Sequence, residues 1–273
     1  MQLSPLQSRM PVAIPFGPTA AVAAVPAPHG TAPTAPAPPM PTTPIAVPAA
    51  IEDALTGAVE RGVRETSEWI AANPKGTVAE LTQFVMDHAG TPPTGAALEA
   101  DHAAVREAVA ARTPAQDATA VWIDEHGLFP PWQPAIDSYV AKVGADQARA
   151  GLTLLDRAKQ ITSLLTFPVK DRYMRQRPFA AHADTPLLAG VTHTRGGSFP
   201  SGHASLAYAH HFVLSSLLPE ATGTRANADQ LAYARTYAAA HYPADIVSGA
   251  YIGAVAATYA AARPDAVIPA REF

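Results

Sequence analysis

Between residues 51 and 262 apolar side chains recur at three- and four-residue intervals, a period that predicts helices. Ile51, Leu55, Val59 and Val63 step at i+4, and Trp69 and Ile70 carry the stripe to a stop at Asn73-Pro74-Lys75-Gly76. Thr77 followed by Glu80 reads as a capping box opening a second helix, with Leu81, Phe84 and Val85 apolar and Gly90 at its end. A third helix is expected from about Ala96 to Arg112. A fourth, capped by Thr113 with Pro114 in its first turn, should end before Gly127. Pro130, Pro131 and Pro134 mark a bend around Trp132. Asp146 to Leu165 reads as a long helix offering Leu152, Leu155, Ile161, Leu164 and Leu165 for burial. Ala204 to Leu218 is a further apolar helical run. Asn227 reads as the cap of the next, which Pro243 should end near Tyr242, because a residue before proline avoids the α region. Asp245 then falls in the first turn of a last helix. No run of alternating β-branched residues reaches strand length, and no internal repeat is present. The fold class is all-α.

The pattern fails in residues 1–50, which hold 13 of the 28 prolines, no Asp or Glu, and Arg9 as their one Lys or Arg. Proline at this density propagates neither helix nor central strand, so a disordered Pro/Ala-rich leader is expected there. Arg9 and Ala20–Ala27 sketch a secretory signal, but Pro11, Pro15 and Pro18 interrupt its apolar stretch. No Gly/Ser/Pro linker separates residues 51–165 from Lys170, so 51–273 reads as a single domain. The run Ile246–Ala262 is rich in Ala and Gly and falls short of the roughly 20 apolar residues that a span needs. A buried helix, and no integral membrane span, is the expectation.

Charge narrows the chemistry. The chain of 273 residues has a formal net charge of −4, so it offers no overall basic field for nucleic acid. Any anion site must be a local cluster of cations. The absence of cysteine excludes disulfides and thiolate metal sites.

Three clusters stand out between residues 170 and 245. The first, Lys170-Asp171-Arg172-Tyr173-Met174-Arg175-Gln176-Arg177-Pro178, supplies a compact ammonium at Lys170 and a planar fork at Arg177 suited to two phosphate oxygens. Taken alone it could be a solvated basic turn. The second, Gly196-Gly197-Ser198-Phe199-Pro200-Ser201-Gly202-His203, enters a helix whose first-turn amides and dipole favour an anion; His203 there can act as a general acid. The plain alternative is a Ser201 N-cap followed by an ordinary helix residue. In the third, Arg235 and His241 lie six apart and so share roughly one side of a helix. Asp245 could hold one nitrogen of His241 and leave the other free as a nucleophile. Alternatively His241 is a helix-end histidine and Asp245 a dipole-favoured first-turn acid. His182, His193, His210 and His211 show no clear ligand spacing and read as solvated or core histidines, so no metal site is expected.

The order Lys-x6-Arg-Pro, Pro-Ser-Gly-His, Arg-x5-His-x3-Asp resembles the signature of the type 2 phosphatidic acid phosphatase (PAP2) superfamily. The flanking Arg175-Gln176-Arg177-Pro178-Phe179 and Gly197-Ser198-Phe199 are most similar to the soluble bacterial class A acid phosphatases. The resemblance implies an all-α bundle shared with vanadium haloperoxidases and a periplasmic or secreted enzyme hydrolysing small phosphate monoesters. It assigns phosphate binding to Lys170, Arg177, Ser201, Gly202, His203 and Arg235. It makes His241 the residue that is phosphorylated, Asp245 its orienter and His203 the acid toward the leaving group. Two positions depart from the family: Ala234 stands where Ser is usual, and Ala204 where class A enzymes commonly have Thr. Neither is charged or nucleophilic, so altered packing or rate is expected rather than lost activity.

No cofactor is expected, vanadate being an inhibitor. Rival readings are a vanadium-dependent haloperoxidase, for which vanadate is the cofactor, and a lipid phosphatase or diphosphatase at a membrane surface. A third is a non-catalytic secreted interaction protein working through its leader. Phe179, Phe199 and Tyr242 are candidate residues of the site mouth.

Overall fold

The computed structural model describes residues 38–269, and among them the regular structure is entirely helical. The helices are α1 (Ala49–Ala72), α2 (Val78–His88), α3 (Ala96–Ala110), α4 (Pro114–His126), α5 (Gln133–Val143), α6 (Ala145–Tyr173), the single turn α7 (Pro178–Ala181), α8 (Gly202–Leu217), α9 (Thr224–Tyr237) and α10 (Pro243–Ala262). The capping box is present: Thr77 N donates to Glu80 Oε2 at 2.8 Å, and Glu80 N to Thr77 Oγ1 at 3.3 Å. Gln116 N likewise donates to Thr113 Oγ1, at 3.4 Å.

Helix α10 is the axis of the molecule. It packs against α8 on one side and α1 on another, and nearly every residue from Ile246 to Ala260 is buried. Glycine permits the α8 contact: a Cβ on Gly249 would lie 2.5 Å from Ser201 O, and one on Gly253 2.3 Å from Ser205 O. Ala204 fits the same crossing, since the Gly249 Cβ would also meet its methyl at 2.9 Å. With no side chain between the two backbones, the first turn of α8 rests directly on α10. At 20 residues and mean hydropathy 1.2, α10 is long and apolar enough to cross a membrane, contrary to the expectation from Ile246–Ala262 alone. Its apolar window is nonetheless 83% buried within the bundle.

Several sequence expectations need correction. The leader expected over residues 1–50 falls mostly outside the described residues, but 38–48, though without regular structure, are docked rather than loose. Trp122 Nε1 donates to Pro38 O at 2.9 Å, Thr119 Oγ1 to Thr43 O at 2.7 Å, and Ile45 is buried. Carbonyls that proline leaves without helical partners are satisfied by α4. The bend at Trp132 is a 3₁₀ turn followed by a full helix, α5. Helix α6 does not stop at Leu165. It continues through Pro168 to Tyr173, because Leu165, Val169 and Lys170 share its buried face. Gly223, not Asn227, precedes α9; the Asn227 amide instead donates to Pro131 O at 3.3 Å.

Candidate active site

The elements that carry the three clusters converge on the N-terminus of α8. Lys170 comes from the last turn of α6, not from a loop, and its Nζ donates to Gly197 O and Pro200 O at 2.7 Å each. Arg177, just before α7, donates from NH2 to Arg195 O at 3.0 Å and Gly197 O at 3.4 Å, and from NH1 to Ala240 O at 2.8 Å. Arg235, on the last turn of α9, donates from NH2 to His193 O at 2.9 Å and from NH1 to Asp124 Oδ1. All three cations are buried, which concentrates positive charge in a small space. Burial and the Arg177 guanidinium hold the Lys170 ammonium down to about 7.

At the centre of this group Ser201 N-caps α8, with Ala204 N donating to its Oγ at 3.4 Å. Both readings of Ser201 are compatible, because its own O–H proton remains available to donate. Gly202 follows; a Cβ there would meet no protein atom within 4 Å, so the space before the helix is open. That opening, the free first-turn amides and the dipole suit a tetrahedral oxyanion.

His241 is not on the helix of Arg235, contrary to the spacing argument. Helix α9 ends at Tyr237, and Ala239 takes a left-handed φ of 59°. Ala240 N then donates to Arg235 O at 3.0 Å and Ala239 N to Thr236 O at 2.9 Å, the Schellman pattern built on alanine. A left-handed alanine costs about 1–2 kcal/mol, a local strain beside the site. The turn reverses the chain so that His241 Nε2 lies 3.0 Å from Arg177 NH1. A guanidinium can only donate, so Nε2 is the acceptor and the imidazole proton sits on Nδ1. Nδ1 lies 3.4 Å from Asp245 Oδ2, an ion-pair distance without a hydrogen bond. Burial, then Arg177, Lys170 and Arg235, push the His241 imidazole well below its ordinary value. It is neutral, with its lone pair on the cation side.

Asp245 is fully buried and more heavily engaged than an orienter needs to be. Its Oδ1 accepts from Arg175 NH1 at 2.7 Å, and its Oδ2 from Ser198 Oγ and, at 2.9 Å, from Tyr242 N. Arg175 is therefore no solvated turn residue. Its guanidinium also donates to Asp101 Oδ2 at 3.0 Å and lies 3.8 Å over the Tyr242 ring. Asp101, from α3, accepts in addition from Ala244 N at 3.1 Å, at the start of α10.

His203 is in the first turn of α8. Its Nε2 is buried without a partner, and burial, Arg235 and His193 push its imidazole well below the ordinary value. Of the remaining histidines one joins the site. His193 Nδ1 lies 3.2 Å from Asp124 Oδ2, and its ring centroid is 6.2 Å from that of His203. His210 stacks on Trp132, His182 on His102, and His211 Nδ1 lies 3.0 Å from Thr224 Oγ1. Among the described residues no group of three or more His, Cys, Asp or Glu could hold a metal ion.

Asp124, Asp101, Ser198, Arg175 and His193 carry no role in the sequence reading. One signal for the two acids was present: Asp124 follows Ala120 by four and Asp101 precedes Val105 by four, placing each carboxylate on an apolar stripe. Of the three candidate mouth residues, Phe199 and Tyr242 are buried in the core. Phe179 lines a cleft of about 240 Å³ with Met174, Gln176, Arg177, Thr194 and Gly196.

Residues 157–267 match the model of the PAP2 superfamily. Two curated relatives, the non-specific acid phosphatases of Salmonella typhimurium and Salmonella typhi, are each 33% identical over 93 residues. Those matches cover 33% of this chain and 37% of the relatives' own length. A solved transmembrane PAP2 type phosphatidylglycerolphosphate phosphatase from Bacillus subtilis aligns with a TM-score of 0.46 and 20% identity. That alignment covers 69% of this chain and 94% of the other.

Proposed function

We propose that the chain, whose residues 157–267 are a PAP2 superfamily domain, hydrolyses phosphate monoesters through a phosphohistidine on His241. The observation that carries this reading is the meeting of Lys170, Arg177 and Arg235 with a neutral, cation-flanked His241 and with His203 before the open first turn of α8. In the first step His241 Nε2, released by Arg177 as that guanidinium turns to the phosphate, attacks phosphorus. The bond from phosphorus to the leaving oxygen breaks, and that oxygen takes a proton from His203. In the second step His203 removes a proton from water, whose oxygen attacks phosphorus as the P–N bond breaks and phosphate leaves. Lys170, Arg177, Arg235, Ser201 and the first-turn amides hold the equatorial oxygens throughout, where charge stabilisation matters most. Asp245 faces Nδ1 and stabilises the charge His241 acquires. Burial and then the Arg235 charge disfavour a proton on His203, and a bound phosphate dianion offsets the Arg235 part, so substrate itself favours the acid form.

The reaction uses no metal or cofactor on this reading; activity lost on exhaustive chelation and restored by one metal would refute that. The burial of α10 favours a protein without a membrane span, and the acid phosphatase relatives favour a periplasmic or secreted one. The decisive experiment is mass detection of an acid-labile phosphate on His241 after brief mixing with an aryl phosphate. Turnover without that adduct, in a rapid quench able to trap it, rejects the mechanism.

A further inference from the structure

We propose that Asp124 and His193 form an opposed pair of positioning residues that sets the proton on His203, Asp124 favouring the imidazolium and His193 disfavouring it. Asp124 lies on α4, outside the matched 157–267. It is 3% exposed, and both its oxygens are spent on the site. Oδ1 takes the Arg235 NH1 hydrogen bond, while Oδ2 accepts from Thr192 N at 2.7 Å and His193 N at 3.1 Å and faces His193 Nδ1. One carboxylate thus fixes a phosphate-binding arginine and the imidazole beside His203. Arg235 is tied a second time, through His193 O, so the three groups move together.

The charged and titratable groups facing His203 are Arg235 from α9, Asp124 from α4, His193 from the loop before α8, and His241 beyond them. Arg235 and His193 oppose a proton on His203; Asp124, by its charge and its main chain, favours one. His193 is 55% exposed at its side chain while Asp124 is enclosed.

This rests on His203 being the acid, and the test separates the two. The alkaline limb of kcat/KM for phenyl phosphate, whose leaving group needs a proton, is recorded for the full chain and for His193→Gln, Asp124→Asn and His203→Ala. The substrate's own ionisation is common to all. His193→Gln should move the limb up by about half a pH unit or more, because the His193 ring then no longer opposes a proton on His203. Asp124→Asn should move it down by a similar amount. A purely structural role would lower activity without moving either limb. Unmoved limbs, or shifts of the same sign, overturn the proposal while leaving the acid assignment intact. Wild-type activity in His203→Ala overturns both. Should Asp124→Asn fail to fold, the exposed His193→Gln decides alone: an upward shift supports the pair, and no shift or a downward one rejects it.

Discussion

Helices α6 to α10 and helices α1 to α5 differ most in the charges they bring to the site. The first group is joined through small side chains, with Gly249 and Gly253 letting α10 touch the backbone of α8. Large side chains are fully buried in both groups: Leu55, Leu81 and Ile123 in the second, Tyr208, Tyr251 and Tyr259 in the first. Their charges divide sharply. Lys170, Arg175, Arg177 and Arg235 all belong to the first group, whereas two of the buried carboxylates that hold those arginines, Asp101 and Asp124, come from the second. The recognisable motifs thus form a cationic half-site that the remaining helices neutralise and fix.

The largest effect should fall on the chemistry of the motif half. His241→Ala should lower kcat by on the order of 10⁴-fold or more and abolish the acid-labile phosphate, with little change in thermal midpoint. Residual activity within tenfold of the wild type would show that another nucleophile operates. Next is the joint between the halves. Arg175→Met leaves Asp101 and Asp245 buried without their shared cation, and denaturant unfolding should report a loss of about 3–5 kcal/mol. An unchanged midpoint would mean that the two halves do not depend on this pair.

His210 offers a pH probe of the same joint, since it stacks on Trp132. Burial holds its imidazole down to about 4 in the folded chain, whereas the unfolded chain takes the proton near its ordinary 6.5. Stability should therefore be full above pH 6.5 and fall as pH drops toward 4, by about 3 kcal/mol from this residue. His210→Gln should flatten that slope in melting curves. A slope as steep as in the wild type would assign the acid lability elsewhere.

Two glycines give the most direct contrast. Gly253→Ala on α10 should cost about 1–3 kcal/mol, because its methyl must displace the α8 backbone, and should reduce activity through the shifted anion site. Gly57→Ala on α1 meets nothing within 4 Å and should stabilise by up to about 1 kcal/mol. Equal effects at the two positions would remove the distinction in packing.

Much of this was legible beforehand, for identifiable reasons. The caps at Thr77 and Thr113 involve partners three residues away, so local spacing was enough to find them. The end of α9 was misplaced because Pro243 is a strong stop signal, whereas the left-handed Ala239 carries no sequence mark; glycine would have. The helix expected to run to Leu165 continues through Pro168 to Tyr173 and so carries Lys170, because burial of the α6 face overrides the break that proline favours.

By itself the sequence determined the helical class, the order of the helices other than α5 and the single turn α7, and which side chains bring positive charge, imidazole and an open helix start, because these follow from short-range periodicity and residue chemistry. Only the tertiary structure decided how the charges are matched. Asp124 meets Arg235 across 111 positions and Asp101 meets Arg175 across 74. Such pairs form when loops close and burial penalises an unpaired charge, and no local pattern encodes which carboxylate will be there.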